Sequence, residues 1–235
     1  MKAMVFAAGL GTRLRPLTDR LPKALVNING APMLELVIRR LAAAGVGELV
    51  VNTHHFHEEV AGFLRSQKNF GLRIELSREE EFPLETGGGL KKAAAFFDDG
   101  RPFFAHNADV YSEMDLAGLY AAHLSGGALA TLAVRERPSG RRLLFDAGMN
   151  LKRREDGPAA PGLTPFAFSG IQVLSPEIFG RITETGVFSL PSVYLRLAAA
   201  GERIKGFRDD SVFWGDIGDM ERLESVRLRD RLNRS

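Results

Sequence analysis

The stretch "KAMVFAAGLGTRLRPLTDRLPKAL", residues 2–25, decides how the chain is read. An apolar run that reads as a buried strand passes into small residues and then into a long turn carrying Arg13, Arg15 and Lys23 between Pro16 and Pro22. A loop that only reversed the chain would not need fixed positive charge, and a solvated basic loop leaves its glycines and prolines unexplained. Gly9 and Gly11 let the backbone N–H groups approach an anion with no Cβ in the way. Arginine adds a planar fork suited to terminal phosphate oxygens, and lysine a compact charge suited to one phosphoryl group. The loop is not a Walker A, because Gly11 is followed by Thr12 and Arg13 instead of Lys and Ser or Thr. A dinucleotide fingerprint is weakly supported: Leu14 stands where a small residue is needed, and no helix starts cleanly inside "RLRPLTDRLPK".

Outward from this loop, apolar runs alternate with amphipathic stretches, as helix-covered parallel sheets require. "KAMVFAAG", "ELVVNTH", "LRIELS", "PFFAHNAD" and "ALATLAV" read as strands. "APMLELVIRRLAAAGV", "HEEVAGFLRSQ", "GGGLKKAAAFF" and "LAGLYAAHL" read as the helices between them. In the first helix Leu34, Val37, Ile38 and Leu41 share one face, with Arg39 and Arg40 pointing away. The fold class is therefore α/β. After residue 135 the rhythm changes: "RERPSGRRLLFDAGMNLKRREDGPAAPGL" reads as a hairpin plus an irregular loop. "TPFAFSGIQVLS" is then a strand, "LPSVYLRLAAAG" a helix, "RIKGFRD" and "SVFWGDI" short strands, and "DMERLESVRLRDRL" a closing helix. No linker or repeat divides the chain, so residues 1–235 are expected to form one domain whose second half is built onto the sheet of the first.

Composition narrows the function. A chain of 235 residues can bury a sizeable core, and the absence of cysteine removes disulfides, thiolate metal sites and cysteine nucleophiles. A net charge of +2 with scattered basic residues argues against a nucleic-acid partner. No apolar run approaches a membrane span and the N-terminus lacks a signal-peptide core, so a cytoplasmic location without membrane contact is expected.

Two aspartates stand out. Asp109 in "FFAHNADV" follows an apolar strand, at the edge where open α/β sheets bind ligands, and Asp216 in "FWGDIGD" has the same setting between Gly215 and Gly218. Each could instead cap a following helix, and Asp219 suits that role at the last helix. "NTHHFH" is not read as a metal site, because His54 and His55 alternate faces and no carboxylate or cysteine completes a set with them and His57. "PLETGGGLKKA" places Glu85 and Thr86 before Gly87 and Gly88. These glycines either expose backbone groups to a ligand's hydrogen-bonding edge or allow close packing of a helix. Trp214 reads as packing.

"GLGTRLRPLTDRLPKAL", with "LETGGGL", "NAD", "FSGI" and "WGDIG", resembles the signature of the sugar-1-phosphate nucleotidylyltransferases over nearly the whole chain. Within that family it is most similar to the short bacterial branch of N-acetylmuramate-1-phosphate uridylyltransferases, which lack a C-terminal β-helix. The resemblance implies a Rossmann-like fold with a mixed, mostly parallel sheet. It also implies formation of an NDP-sugar and pyrophosphate from an NTP, with a lean to UTP, and a sugar 1-phosphate in cell-wall sugar recycling. Mg²⁺ would sit on Asp109 and Asp216. Ala8, Gly9, Gly11, Thr12, Arg13, Lys23, Glu85, Thr86, Gly87 and Gly88 would bind nucleotide, with Arg13 and Lys23 catalytic. Asn107, Gly140, Ser169 and Gly170 would meet the sugar. The hairpin carries "PSGRRLLFD" and "REDGP" where many relatives have Gly-x-Gly or Tyr-Gly and Glu-Lys-Pro. Other pairings, including mannose 1-phosphate with GTP or a cytidylyl transfer, stay open, as does a non-catalytic nucleotide-sugar sensor; a nicotinamide-dependent oxidoreductase is the most distant alternative.

Overall fold

A computed structural model of the chain describes residues 1–157 and 161–234. The elements in chain order are β1 (Lys2–Phe6), β2 (Asn27–Ile28), β3 (Ala31–Pro32), α1 (Met33–Ala43), β4 (Glu48–Thr53), α2 (His57–Ser66), β5 (Arg73–Arg78) and α3 (Glu85–Lys92). The second half supplies β6 (Phe103–Asn107), β7 (Val110–Ser112), α4 (Leu116–Gly126), β8 (Ala130–Arg135), β9 (Arg142–Phe145), β10 (Leu151–Arg154), β11 (Thr164–Leu174), α5 (Leu190–Ala199), β12 (Ile204–Arg208), β13 (Trp214–Asp216) and α6 (Met220–Arg234).

Period-two alternation divides the core. Ala3 and Val5 of β1 pack into a cluster with Leu34, Val37, Ile38 and Leu41 of α1, while Met4 between them faces a second cluster with Leu90, Phe97, Val193 and Tyr194. Both faces of the central strands are therefore covered, which is why they read as unbroken apolar runs. β1 pairs in parallel with β4 on one side and β6 on the other, and β4 pairs in parallel with β5. Arg39 is exposed as expected, but Arg40 is half-buried and donates to the carbonyl of Met114 at 2.6 Å.

The change of rhythm after residue 135 is the entry of antiparallel strands into the same sheet. β11 runs past two partners in succession, β9 through Thr164–Ala167 and β6 through Ile171–Leu174, and also pairs with β8. Its register against β8 shifts between Phe168 and Gln172, where Gly170 takes φ +77°. β12 then adds in parallel to β8, and β10 closes the hairpin on β9. The expected irregular loop includes residues 158–160, which lie outside the described residues.

Two differences from the sequence reading bear on the site. The third helix begins at Glu85, ahead of the glycines, and gives way to a 3₁₀ turn at Ala94–Phe97. Asp109 is followed by an unanticipated strand, β7, which pairs antiparallel with β13 as a separate two-stranded ribbon. Asp219 caps α6, its Oδ1 accepting from the N–H of Arg222 at 3.0 Å. Among the described residues, no helix is long and apolar enough to cross a membrane.

Candidate active site

The loop after β1 contains three short 3₁₀ turns, Thr12–Leu14, Leu17–Asp19 and Lys23–Leu25, and no α-helix. Gly11 takes φ +64°, and a Cβ there would lie 3.0 Å from Thr18 Cγ2 and 3.1 Å from Lys23 Cβ, so this position requires glycine. A Cβ at Gly9 would meet nothing within 4 Å, so its backbone lies open to the cleft. The first residue of the loop is pinned from below. The Ala7 N–H donates to Asn52 Oδ1 at 2.8 Å, Asn52 Nδ2 donates to Glu79 Oε1 at 2.6 Å, and the Leu84 N–H donates to Glu79 Oε2 at 2.7 Å. This relay ties the ends of β1 and β4 to the segment entering α3. Asn52 and Glu79, both buried, were not singled out from sequence.

The loop floors a cleft of about 430 Å³ lined by Ala8, Gly9, Gly11, Thr12, Arg13, Lys23, Glu85, Thr86, Asn107 and Asp109, with Gly218 at one edge. Lys23 Nζ donates to Asp109 Oδ2, both side chains being mostly buried. Arg13 is exposed and, among the described residues, has no ion-pair partner, whereas Arg15 faces outward to Asp19. Glu85 takes φ +58°, a left-handed conformation disfavoured for a side chain of this size, at the point where the cleft turns toward a second cavity.

Asp109 and Asp216 come from residues more than a hundred positions apart and meet through the β7–β13 ribbon. Asp216 pairs with Val110, and the Ile217 N–H donates to the Asp109 carbonyl at 3.0 Å. Asp216 is held by Arg222, whose NH1 reaches both carboxylate oxygens at 3.0 and 2.9 Å. A Cβ at Gly218 would lie 2.5 Å from Asp216 Oδ1, 3.3 Å from Arg222 NH1 and 3.6 Å from Arg13 NH2, so these three groups converge on one edge of the cleft. Neither aspartate caps a helix.

Other residues named from sequence are placed differently. Gly87 and Gly88 do not line the cleft; they sit under it, where a Cβ would lie 2.8 Å from the Phe188 carbonyl and 2.5 Å from the Gly186 carbonyl, respectively. Ser169 is buried, its carbonyl accepting from Trp214 Nε1 at 2.8 Å, and Gly170 backs onto Asn107. Gly140 is exposed in the connection between β8 and β9. Trp214 packs under the Arg137 guanidinium at 4.3 Å. His54 Nδ1 meets the Glu79 carbonyl and His57 Nδ1 the Thr53 hydroxyl, which are ordinary strand-to-helix contacts.

The family model for nucleotidyl transferases matches residues 2–231. This chain is a nucleotidyl transferase. Its relatives include the N-acetylmuramate alpha-1-phosphate uridylyltransferase of Caulobacter vibrioides, 36% identical over 97% of this chain and 96% of that protein. The mannose-1-phosphate guanyltransferase of Candida albicans is 40% identical over 93% of this chain but only 61% of that protein. Among solved structures, the UTP-bound UGPase from Acinetobacter baumannii superposes with a TM-score of 0.78 at 20% identity, covering 99% of this chain and 93% of that one, which establishes a shared fold. The transferase thus has its cationic loop, its lysine–aspartate pair and the second aspartate gathered at the carboxyl end of the parallel strands, where nucleotide chemistry on such sheets takes place.

Proposed function

We propose that the protein transfers a uridylyl group from UTP to a sugar 1-phosphate, with N-acetylmuramate 1-phosphate as the acceptor, acting as one catalytic unit in the cytoplasm. The observation that carries this reading is the meeting of Lys23 and Asp109 in a cleft floored by Ala8–Arg13. The uridylyl choice is supported by the likeness to the Caulobacter uridylyltransferase over 97% of this chain.

In this reading an oxygen of the acceptor phosphate forms a bond to the α-phosphorus while the α-phosphorus–oxygen bond to the β-phosphate breaks, and pyrophosphate departs with the electron pair. No general base is needed, because the nucleophile is already ionised. Arg13 and the amides of residues 9–12 hold the β- and γ-phosphates, and Lys23 offsets charge at the α-phosphate. Glu85 and Thr86, at the strained start of α3, face the base, and Asn107 lies between nucleotide and acceptor. Asp109, in the turn before β7, and Asp216, at the end of β13, would hold a hard divalent cation such as Mg²⁺, for which carboxylate oxygens are suitable donors. Such an ion supplies charge neutralisation to the reacting phosphates. Among the described residues no larger cluster of metal-ligating side chains occurs.

The test is a panel of ATP, CTP, GTP and UTP with N-acetylmuramate 1-phosphate and Mg²⁺, read as pyrophosphate release. UTP is expected to exceed the others by about 10-fold or more in kcat/KM, and a preference for GTP would shift the reading to guanylyl transfer. Asp109→Asn and Lys23→Ala should each lower kcat by about 100-fold or more, and wild-type rates in either would refute its assigned role.

A further inference from the structure

Beside the nucleotide cleft lies a second cavity of about 630 Å³ that shares Glu85, Thr86 and Asn107 with it. An acceptor whose phosphate reaches Lys23 would therefore place the rest of its body here. Phe168, Leu143 and Gln172 contribute its apolar and amide surface, while Arg137, Arg141 and Arg154 bring three guanidinium groups against the single carboxylate of Glu85. Such an excess of positive charge is out of keeping with a neutral sugar, whose hydroxyls ask for neutral donors and acceptors.

The arginines differ in what already occupies them. Arg137 stacks on Trp214 and donates to the Phe168 carbonyl at 3.2 Å, so it is part of the wall. On the β9–β10 hairpin, Arg142 is held by Glu155, Lys152 by Asp146 and Arg153 by Asp156. Asp146, Glu155 and Asp156 are thus each engaged by a neighbour that does not line the cavity. Arg141 and Arg154, which do line it, have no ion-pair partner among the described residues. Below them Gln172 is 2% exposed, and its Oε1 has no hydrogen-bond partner. A buried amide left incomplete is costly unless something polar completes it.

We propose that Arg141 and Arg154 are specificity-determining residues that bind a second anionic group, a carboxylate, on the sugar 1-phosphate. The inference rests on the transfer reaction proposed above and deepens it by assigning the acceptor's acid to named side chains. A carboxylate between two arginine forks gains charge-assisted hydrogen bonds that a sugar lacking the acid cannot make. Discrimination then comes from the acceptor's affinity and not from the chemical step.

The experiment compares N-acetylmuramate 1-phosphate with N-acetylglucosamine 1-phosphate, which carries the same ring without the acid, in the wild type and in Arg141→Gln, Arg154→Gln and Arg154→Lys. The wild type should prefer the acidic acceptor. Each glutamine variant should cut that preference by about 10-fold or more, through a higher KM for the acidic acceptor. Arg154→Lys should recover part of the loss, and the thermal unfolding midpoint should stay put because both side chains are exposed. A wild type that transfers nucleotide equally well to the neutral sugar overturns the carboxylate assignment while leaving the transferase reading intact. Variants with an unchanged acceptor ratio overturn it as well. Absence of transfer to either acceptor from any NTP overturns both.

Discussion

Gly9 and Gly11, two positions apart in one short motif, meet different constraints. Gly11 is required by its left-handed backbone and by the nearness of Thr18 and Lys23, whereas Gly9 faces open space. Gly11→Ala should therefore destabilise the protein by about 1–2 kcal/mol, seen as a lowered unfolding midpoint. Gly9→Ala should leave the midpoint in place and raise the KM for nucleotide, because its new methyl enters the space the phosphates need. At this scale the sequence was informative where chemistry is concentrated in a contiguous run: Arg13, Lys23, Asp109 and Glu85 all line the cleft. It was silent where the partner is remote in the chain. Nothing in "VVNTH" or "LSREE" announces that Asn52 and Glu79 will join end to end beneath Ala7, since their side chains look like ordinary strand-end polar residues until the strands are laid side by side. Arg222, the partner of Asp216, was hidden for another reason: its neighbours make it look like one more charged residue on a solvated helix.

Among the elements, α3 is the one whose sequence allowed two readings. Its glycines admit the segment 186–188 so closely that a Cβ at Gly88 would stand 2.5 Å from the Gly186 carbonyl and 2.9 Å from Leu84 Cβ. Neither contact is the tip of a flexible side chain, so the strain cannot be relieved by a rotamer change. Gly88→Ala should cost about 1–3 kcal/mol, measured by denaturant unfolding, and should raise KM for nucleotide through displacement of Glu85 and Thr86. Long elements with a clear period were legible: α1, α2, α5 and the central strands fall where the apolar spacing puts them. β7 was not, because three residues give no period to read and the pairing that makes them a strand comes from β13 at the far end of the chain. The same ribbon is what carries Asp216 to Asp109, so the least legible element is the one that assembles the two acids.

Across the whole molecule, the sheet joins halves with different grammar. The parallel half, β5-β4-β1-β6, offers its carboxyl ends to the nucleotide loop, and the antiparallel additions from β11 onward wall the neighbouring cavity. α6 returns across the ribbon and is fastened to it: Arg229 grips Glu113 through two bonds of 2.6 Å, and Asn233 joins them. The Arg229 guanidinium draws the Glu113 carboxyl down to about 2, so this fastening stays ionised throughout the neutral and mildly acidic range.

The lysine on Asp109 and the arginine on Asp216 have a further consequence for the order of events. Each acid already has an internal counter-ion, so a lone divalent ion would have to evict two built-in cations and then go short of ligands. A bound triphosphate would change the exchange, because its oxygens could receive Lys23 and free the Asp109 carboxylate. If Asp109 and Asp216 hold a divalent ion as proposed, titration calorimetry should register little heat with MgCl₂ alone but a clear saturable signal once UTP is present.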